Sequence, residues 1–204
     1  MMNSQALKTR DLILVGGGHA HVQVLEMLAM NLPQDVQMTL VSDASVAYYS
    51  GMLPGATSGD YSPEEIRMQL RPLAQLSGAR FIQARVTGLD PEAQELHLEG
   101  RPSLHYDLVS FNVGSSIRGR EIPGVREFAL KTRPISQWVE QLENFEKSLG
   151  KSVERLRVVV VGGGAAGVEL ALGLESRFSK KVRNLSVTLV DRGDKLLRTG
   201  SDSA

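Results

Sequence analysis

Two stretches of this chain decide its fold, residues 12–43, which read LILVGGGHAHVQVLEMLAMNLPQDVQMTLVSD, and residues 158–191, which read VVVVGGGAAGVELALGLESRFSKKVRNLSVTLVD. Each has an apolar run typical of a strand, three glycines, a helical stretch, and a second apolar run that ends at an acid. This order predicts a βαβ unit of the dinucleotide-binding type. The repeat is far too long for a solenoid. We therefore predict an α/β protein with two Rossmann-like units on one chain.

The second stretch carries a complete G-x-G-x-x-G pattern. Gly162, Gly164 and Gly167 follow an apolar strand and precede a helix. Such glycines let the backbone approach a pyrophosphate, and the positive end of the following helix favours the anion. A lone pattern of this kind is weak, but here strand, loop, helix and acid occur in the expected order. We predict a dinucleotide site, with a purely structural turn as the alternative.

The acid at the end of the second stretch indicates which nicotinamide cofactor is preferred. Asp191 suits a carboxylate that accepts hydrogen bonds from a ribose hydroxyl and disfavours a 2′-phosphate. We therefore expect NAD to be preferred over NADP. The neighbouring Arg192 weakens that preference.

The first stretch departs from the pattern at its third position. Gly16 and Gly18 are present, but His21 stands where the third glycine normally permits close packing of helix on strand. We expect its ring to push the helix away slightly or to lie along the groove. His19 and His21 are interpreted as packing or surface histidines, as neighbours of the cofactor, or as metal ligands. The i, i+2 spacing does not put both on one helical face, so we predict no metal site.

The acid of the first stretch is displaced by one residue. Aligning the two second strands pairs Asp191 with Ser42, which leaves Asp43 one position late. A shift of one residue on a strand changes the face of a side chain. We still predict Asp43 as the ribose-binding acid, because a strand end can bend. The alternative is a solvated loop carboxylate.

The chain between the two stretches predicts further elements. Ser62-Pro63-Glu64-Glu65 has the N-cap, proline and capping acid that open a helix, which we expect to reach Leu76. Short β-rich runs separated by turn residues predict a β-meander. Apolar residues at helical spacing predict a further helix that Gly150 ends. The runs are 80–89, 94–98 and 104–111, the interval 118–133 is predicted to be a linker, and the last helix covers 135–149.

Composition excludes several classes of function. Lys and Arg number 23, Asp and Glu also number 23, and cysteine is absent. The charge balance argues against nucleic acid as a partner. The absence of cysteine excludes disulfides, thiolate metal sites, iron–sulfur clusters and thiol-based redox catalysis. We find neither an apolar run long enough to span a membrane nor a signal peptide, and therefore predict a soluble cytoplasmic protein.

The motifs as a set resemble a known family. The chain resembles the pyridine nucleotide-disulfide oxidoreductase superfamily, and within it the type II NADH dehydrogenase-like branch, including the module associated with selenide, water dikinase. The segments that carry the resemblance are residues 15–22 (VGGGHAHV), 49–55 (YSGMLPG), 106–109 (YDLV) with 114–115 (GS), 122–124 (IPG) and 161–169 (VGGGAAGVE).

The resemblance implies that the first unit holds FAD and the second NAD(P)H. The residues expected to contact FAD are Gly16, Gly18, His19, Asp43, Ser50, Gly51, Met52 and Gly114. Those expected to contact the nicotinamide cofactor are Gly162, Gly164, Gly167 and Asp191. Glu169 matches a family glutamate near the flavin–nicotinamide region and is the one catalytic candidate, although a helical Glu is more often solvated.

The implied function is an FAD-dependent NAD(P)H oxidoreductase that passes hydride to flavin and on to a quinone or another small acceptor. Since cysteine is absent, the disulfide and sulfide chemistry of other branches is not expected. The alternatives are a non-catalytic FAD- or NAD-binding module and an incomplete fragment without activity. The resemblance implies an FAD domain over 1–133 and the start of an NAD(P) domain over 134–204.

Relative to that family the chain resembles an N-terminal half. Both units would then lack elements that complete them, and any contact with a membrane surface would lie beyond this part. A second unit of two strands and one helix is too small to bury both faces of its sheet. We therefore expect unusual apolar exposure at Val158–Val161 and Val187–Val190.

Overall fold

The computed structural model describes residues 9–30, 33–117, 119, 121–150 and 153–197. Two compact units make up the chain. Unit 1 comprises the chain up to Tyr49 together with Arg67–Ser115, and unit 2 comprises Ser50–Ile66 together with the chain from Ser116. This division by compactness differs from the predicted cofactor-domain boundary at residue 133, which stays a prediction.

Helices and strands are interspersed along the chain, as expected for an α/β protein. The helices are α1 (His19–Met30), α2 (Leu53–Ser58), α3 (Leu70–Leu76), α4 (Val125–Phe128), α5 (Ile135–Ser148) and α6 (Ala165–Ser179), and Ser50–Met52 form one 3-10 turn. The strands are β1 (Arg10–Val15), β2 (Val36–Ser42), β3 (Val46–Tyr48), β4 (Arg67–Gln69), β5 (Arg80–Gln83), β6 (Val86–Asp90), β7 (Glu95–Leu98), β8 (Arg101–His105), β9 (Leu108–Phe111), β10 (Val153–Val161) and β11 (Val182–Val190).

Unit 1 is built on a parallel sheet with the strand order β5-β2-β1-β9. Both faces of this sheet are covered, which explains why β1 and β2 are almost continuously apolar. On one face Leu14 and Leu40 pack with Leu25 of α1 and Leu70 of α3. On the other face the sheet packs on β6-β7-β8, and the core there comprises Ile13, Val15, Val41, Leu96, Leu98 and Tyr106. The predicted Rossmann-like architecture is confirmed.

The meander is smaller than predicted. The antiparallel sheet contains only β6, β7 and β8. The predicted run 80–89 divides into β5, which joins the parallel sheet, and β6; the run 104–111 divides in the same way into β8 and β9. The pattern missed these divisions because a strand that changes sheets keeps its apolar character on both sides of the break.

The helix predicted from Ser62 to Leu76 is wrong in its first half. Ser62 and Glu65 do form the reciprocal capping bonds, with Ser62 N–H donating to Glu65 Oε2 over 2.8 Å and Glu65 N–H to Ser62 Oγ over 3.4 Å. These bonds close a turn, after which Arg67–Gln69 pair with Val46–Tyr48 as an antiparallel ribbon. Only α3 is helical, because pairing with β3 outcompetes local helix propensity.

Unit 2 contains the second βαβ unit. Strands β10 and β11 are parallel over their length, with Val161 opposite Val190, and α6 connects them. Alternate side chains of these strands are exposed on one face of the sheet: Val159 is 61% exposed, Val161 83% and Val190 46%. The predicted apolar exposure of these strands is confirmed for this face.

Helices α2 and α5 complete unit 2. The predicted helix 135–149 is confirmed as α5, which buries Ile135, Trp138, Val139 and Leu142. The predicted linker 118–133 contains the one-turn helix α4. None of the helices in the described ranges is both long and apolar enough to cross a bilayer.

Candidate functional site

The first glycine loop lies between β1 and α1 and is packed against the end of β9. Gly16 N–H donates to the Val41 carbonyl over 2.7 Å, and Gly18 N–H donates to the Asn112 carbonyl over 3.1 Å. The backbone of Gly16 has φ +92°, and a Cβ there would lie 2.3 Å from the Asn112 oxygen. Glycine is therefore required at this position for both conformation and space.

The side chain of Asn112 occupies the space above Gly18, the second glycine of the motif. A Cβ on Gly18 would lie 1.3 Å from Asn112 Oδ1. The loop is thus enclosed by β9 on one side and opens where α1 begins, where the first helical N–H groups have no acceptor within the helix. This geometry suits an anion at the start of α1.

His19 begins α1 and is exposed, and its ring lies over Tyr49 with centroids 4.6 Å apart and planes 33° apart. This contact places an aromatic pair beside the glycine loop. The contact is compatible with His19 as a neighbour of the cofactor and with His19 as a packing residue.

The ring of His21 lies along the groove, the second of the two positions predicted for it. It is 2% exposed, and its ring lies between the glycine loop and β9. Nδ1 is 2.7 Å from the Gly16 carbonyl oxygen, and Nε2 is 2.9 Å from Ser110 Oγ. Burial lowers the pKa of the His21 ring, and the hydrogen bond to Gly16 opposes that shift. Among the described residues no group of metal-ligating side chains occurs.

The remaining residues predicted to contact FAD divide between the two units. Asp43 follows β2 and is exposed, while Ser42, at the position equivalent to Asp191, is buried. Gly114 lies beyond β9 in the left-handed region, with φ +64°. Ser50, Gly51 and Met52 form the 3-10 turn of unit 2.

The second glycine loop lies between β10 and α6. Gly162 N–H donates to the Val190 carbonyl over 2.8 Å, and Gly162 has φ +115°. A Cβ on Gly167 would lie 1.8 Å from the Gly162 oxygen, so α6 packs directly on the loop backbone. By contrast, a Cβ on Gly164, the N-cap of α6, would meet nothing within 4 Å.

Asp191 directs its carboxylate at this loop. Its two oxygens accept hydrogen bonds of 2.7 Å, one from Gly163 N–H and one from Gly193 N–H. The acid is therefore held at the end of β11 beside the loop, the position from which a Rossmann acid reaches a ribose. Glu169 lies one turn into α6 and is exposed.

Sequence analysis missed Ser110 and Asn112. Ser110 lies in β9 and Asn112 directly follows it; the sequence pattern assigned this strand to the meander, whereas the structure pairs it with β1. The available signal was two polar residues near the end of an apolar strand, the place where α/β sheets hold their ligands.

The comparisons with known proteins agree with this geometry. The family model for pyridine nucleotide-disulphide oxidoreductases matches residues 10–204. The NADH dehydrogenase-like protein YutJ of Bacillus subtilis is 29% identical over 92% of this chain and 50% of its own length. A type II NADH:quinone oxidoreductase of Staphylococcus haemolyticus is 23% identical over 95% of this chain and 52% of its own.

Solved structures show the same fold. The structure of NDH2 from Plasmodium falciparum in complex with NADH has a TM-score of 0.72 at 20% identity, and the match covers 93% of this chain and 43% of that one. The chain spans about half the length of the curated relatives it matches. The match of the family model over nearly all of the sequence, on a chain with two glycine loops of this geometry, shows that it belongs to the pyridine nucleotide-disulphide oxidoreductase family.

Proposed function

We propose that the protein is an FAD-dependent NAD(P)H oxidoreductase that uses the loop of unit 1 for FAD and the loop of unit 2 for the nicotinamide cofactor. The observation that carries this proposal is the presence of two separate glycine loops, each between a parallel strand and a helix, in one chain of this family. Two such loops provide for two dinucleotides, which a single-cofactor enzyme does not need.

The loop of unit 1 fits the ADP half of FAD. A Cβ at Gly16 or Gly18 would strike Asn112, so only glycine lets the loop pack against the chain after β9 while its other side stays open at the start of α1. Gly16, Gly18 and His19 would hold the diphosphate, and Asp43 the ribose. Ser50, Gly51 and Met52 are proposed to lie by the flavin or the diphosphate, and Gly114 to allow close approach of the backbone to FAD. When bound, FAD supplies the two-electron chemistry, and the protein supplies orientation and electrostatics.

In unit 2, Gly162, Gly164 and Gly167 would hold the diphosphate of the nicotinamide cofactor. Asp191 would accept hydrogen bonds from the ribose, and its charge would repel a 2′-phosphate, which supports NAD over NADP. Glu169 is proposed to face the nicotinamide from α6. Residues 1–133 are accordingly proposed as the FAD domain and residues 134–204 as the start of the NAD(P) domain.

The names of the relatives support a quinone as acceptor. The Staphylococcus haemolyticus relative is named as an NADH:quinone oxidoreductase. The balanced reaction would be NADH, a proton and a quinone giving NAD⁺ and a quinol, with two electrons transferred. A quinone acceptor would require peripheral contact with a membrane from an otherwise cytoplasmic protein.

Reconstitution tests the proposal. The purified chain is incubated with FAD, freed of excess cofactor, and titrated anaerobically with NADH while the visible flavin absorbance is followed. Retained flavin that is bleached by NADH and recovers on addition of a soluble quinone supports the proposal. Gly16→Val should abolish flavin retention. Gly162→Val should retain flavin but should not be bleached by NADH. Absence of flavin retention would contradict the proposal.

A non-catalytic nucleotide-binding module is the second candidate, because the same two glycine loops would bind both cofactors without hydride transfer between them. It predicts that the chain binds both FAD and NADH but that NADH does not bleach the flavin. Equilibrium dialysis against each cofactor separates this outcome from failure to bind.

The preference for NAD is tested through Asp191. Replacing Asp191 with Ala removes the carboxylate and its repulsion of a 2′-phosphate, so the ratio of NADPH to NADH affinity should rise by about tenfold or more, equivalent to at least ~1.4 kcal/mol. Asp194→Ala serves as the control on the same loop. An unchanged ratio in Asp191→Ala would contradict the assigned role.

A further inference from the structure

His21 stands where the second unit has a glycine, yet its side chain is among the most deeply buried polar groups of unit 1. Its ring is 2% exposed and contacts two other elements, with Nδ1 2.7 Å from the Gly16 oxygen and Nε2 2.9 Å from Ser110 Oγ. A histidine in this position thus joins α1, the glycine loop and β9. Both ring nitrogens have polar partners, as burial of a histidine requires.

The partners of the ring define its tautomer. A carbonyl oxygen only accepts hydrogen bonds, so Nδ1 must carry the proton that it donates to Gly16. In a neutral ring Nε2 is then an acceptor, and it receives the hydroxyl proton of Ser110. Burial, which lowers the pKa of His21, agrees with a neutral ring.

The second unit shows what this histidine replaces. There the first glycine of the loop faces Gly167, and a Cβ at that position would lie 1.8 Å from the Gly162 oxygen. No side chain fits between that carbonyl and α6. In unit 1 the equivalent carbonyl, that of Gly16, instead receives a side-chain N–H from His21. The same backbone atom is therefore held by helix packing in one unit and by an imidazole in the other.

We propose that His21 is a positioning residue that sets the orientation of the peptide between Gly16 and Gly17. The peptide is planar and trans, so its C=O and N–H point in opposite directions. A hydrogen bond that holds the Gly16 carbonyl towards α1 therefore also makes the Gly17 N–H point away from α1. Ser110 fixes the ring from the other side through Nε2. The identity of the ligand, the diphosphate of a dinucleotide, rests on the proposed function, whereas the structural role of His21 does not.

Two conservative variants separate the two halves of this arrangement. His21→Asn keeps an amide N–H near the place of Nδ1 and loses the contact with Ser110. His21→Gln extends towards Ser110 but leaves no donor near the Gly16 oxygen. Ser110→Ala removes the hydroxyl and leaves the histidine. A role in filling space alone would not distinguish Asn from Gln in this way.

The first measurement uses the ligand-free, full chain and ¹⁵N NMR. Wild-type protein should show His21 as the neutral Nδ1–H tautomer, and Ser110→Ala should shift the Nε2 resonance towards that of an unbonded ring nitrogen. The Gly17 amide resonance should move in His21→Gln and stay close to wild type in His21→Asn. A His21 ring in the Nε2–H tautomer, or a Gly17 amide that is unchanged in His21→Gln, would overturn the proposal.

The second measurement relates the loop to its ligand, with FAD and ADP as probes in fluorescence and calorimetric titrations. His21→Gln should weaken binding of both by about tenfold, the effect of one lost hydrogen bond, while His21→Asn stays within about threefold of wild type. Equal weakening in both variants would overturn the positioning role. If the wild-type chain binds neither probe, the proposed function fails, and the NMR experiment still decides the role of His21.

Discussion

The indole Nε1–H of Trp138 donates a hydrogen bond to Oγ1 of Thr57 over 3.0 Å, and both side chains are buried in unit 2. The two residues come from α5 and α2, which are far apart in the sequence. Helix α2 has only six residues, whereas α5 has 14. This buried polar contact therefore helps to define how α2 packs on α5.

The Trp138–Thr57 contact predicts a coupled pair of substitutions. Trp138→Phe leaves the buried Thr57 hydroxyl without this hydrogen bond, and Thr57→Val does the same to the indole N–H. Each substitution should therefore lower the free energy of unfolding by about 1–3 kcal/mol. The double variant removes both groups and should cost less than the sum, with a coupling energy of about 1 kcal/mol. Urea denaturation followed by far-UV circular dichroism measures this cycle.

Thr57→Ser is the control for the cycle, since it keeps the hydroxyl. Additive effects of Trp138→Phe and Thr57→Val would show that the hydrogen bond does not contribute to stability.

The second loop predicts that two of its glycines have different roles. Gly167→Ala would place a methyl 1.8 Å from the Gly162 oxygen, so α6 must move and the free energy of unfolding should fall by about 1–3 kcal/mol. Gly164 has ordinary φ of −73° and open space, so Gly164→Ala should cost about 0.5 kcal/mol or less. Thermal denaturation of both variants measures the difference.

At Gly164 the same substitution should affect NADH binding more than it affects stability. A methyl there protrudes into the space proposed for the diphosphate, so Gly164→Ala should weaken NADH binding in a well-folded protein. Wild-type affinity in Gly164→Ala would mean that the diphosphate does not approach this residue.

Arg177 predicts a large effect from a single charged residue of unit 2. Its side chain is 15% exposed; Nε donates to Glu146 Oε2 over 2.7 Å, and Nη1 donates to the Ala56 carbonyl at the end of α2 over 3.0 Å. Arg177→Met leaves Glu146 with Lys181 as its remaining ion-pair partner and should lower the free energy of unfolding by about 2 kcal/mol.

Lys180→Met, an exposed change at the end of the same helix, is the matched control and should stay within about 0.5 kcal/mol of wild type. Urea denaturation compares the two variants. Equal stability of Arg177→Met and Lys180→Met would contradict a structural role for the arginine.

The turn at Ser62 predicts a pH effect on Glu65. The Ser62 backbone N–H and hydroxyl both donate to the Glu65 carboxylate, each over 2.8 Å, and they lower its pKa below the ordinary value of 4.5. Because the folded-state pKa is lowered, the turn gains stability above the unfolded-state pKa and loses it as the pH falls through the folded-state pKa. Ser62→Ala should raise the pKa of Glu65, as measured by ¹³C NMR of its carboxyl carbon.

Ser62→Thr keeps the hydroxyl and should leave the lowered pKa of Glu65 in place. A pKa that does not change in Ser62→Ala would show that the backbone N–H alone accounts for the shift.

Local pattern was enough to predict the two βαβ units, their glycine loops and helix α5. The reason is physical: a glycine with positive φ, an apolar strand and an amphipathic helix are each properties of a few neighbouring residues. The first loop illustrates this, because Gly16 is required by its own φ of +92° as well as by its neighbours.

Only the tertiary structure decided what those local elements contact. The pairing of β9 with β1 brings Ser110 and Asn112 to the glycine loop, and pairing of β4 with β3 replaces the first half of a predicted helix. Such contacts join residues distant in sequence, and their free energy comes from burial and hydrogen bonds that a local pattern does not encode. His21 shows the division best: its place in the motif could be read from the sequence, whereas its two hydrogen bonds exist only because β9 lies beside the loop.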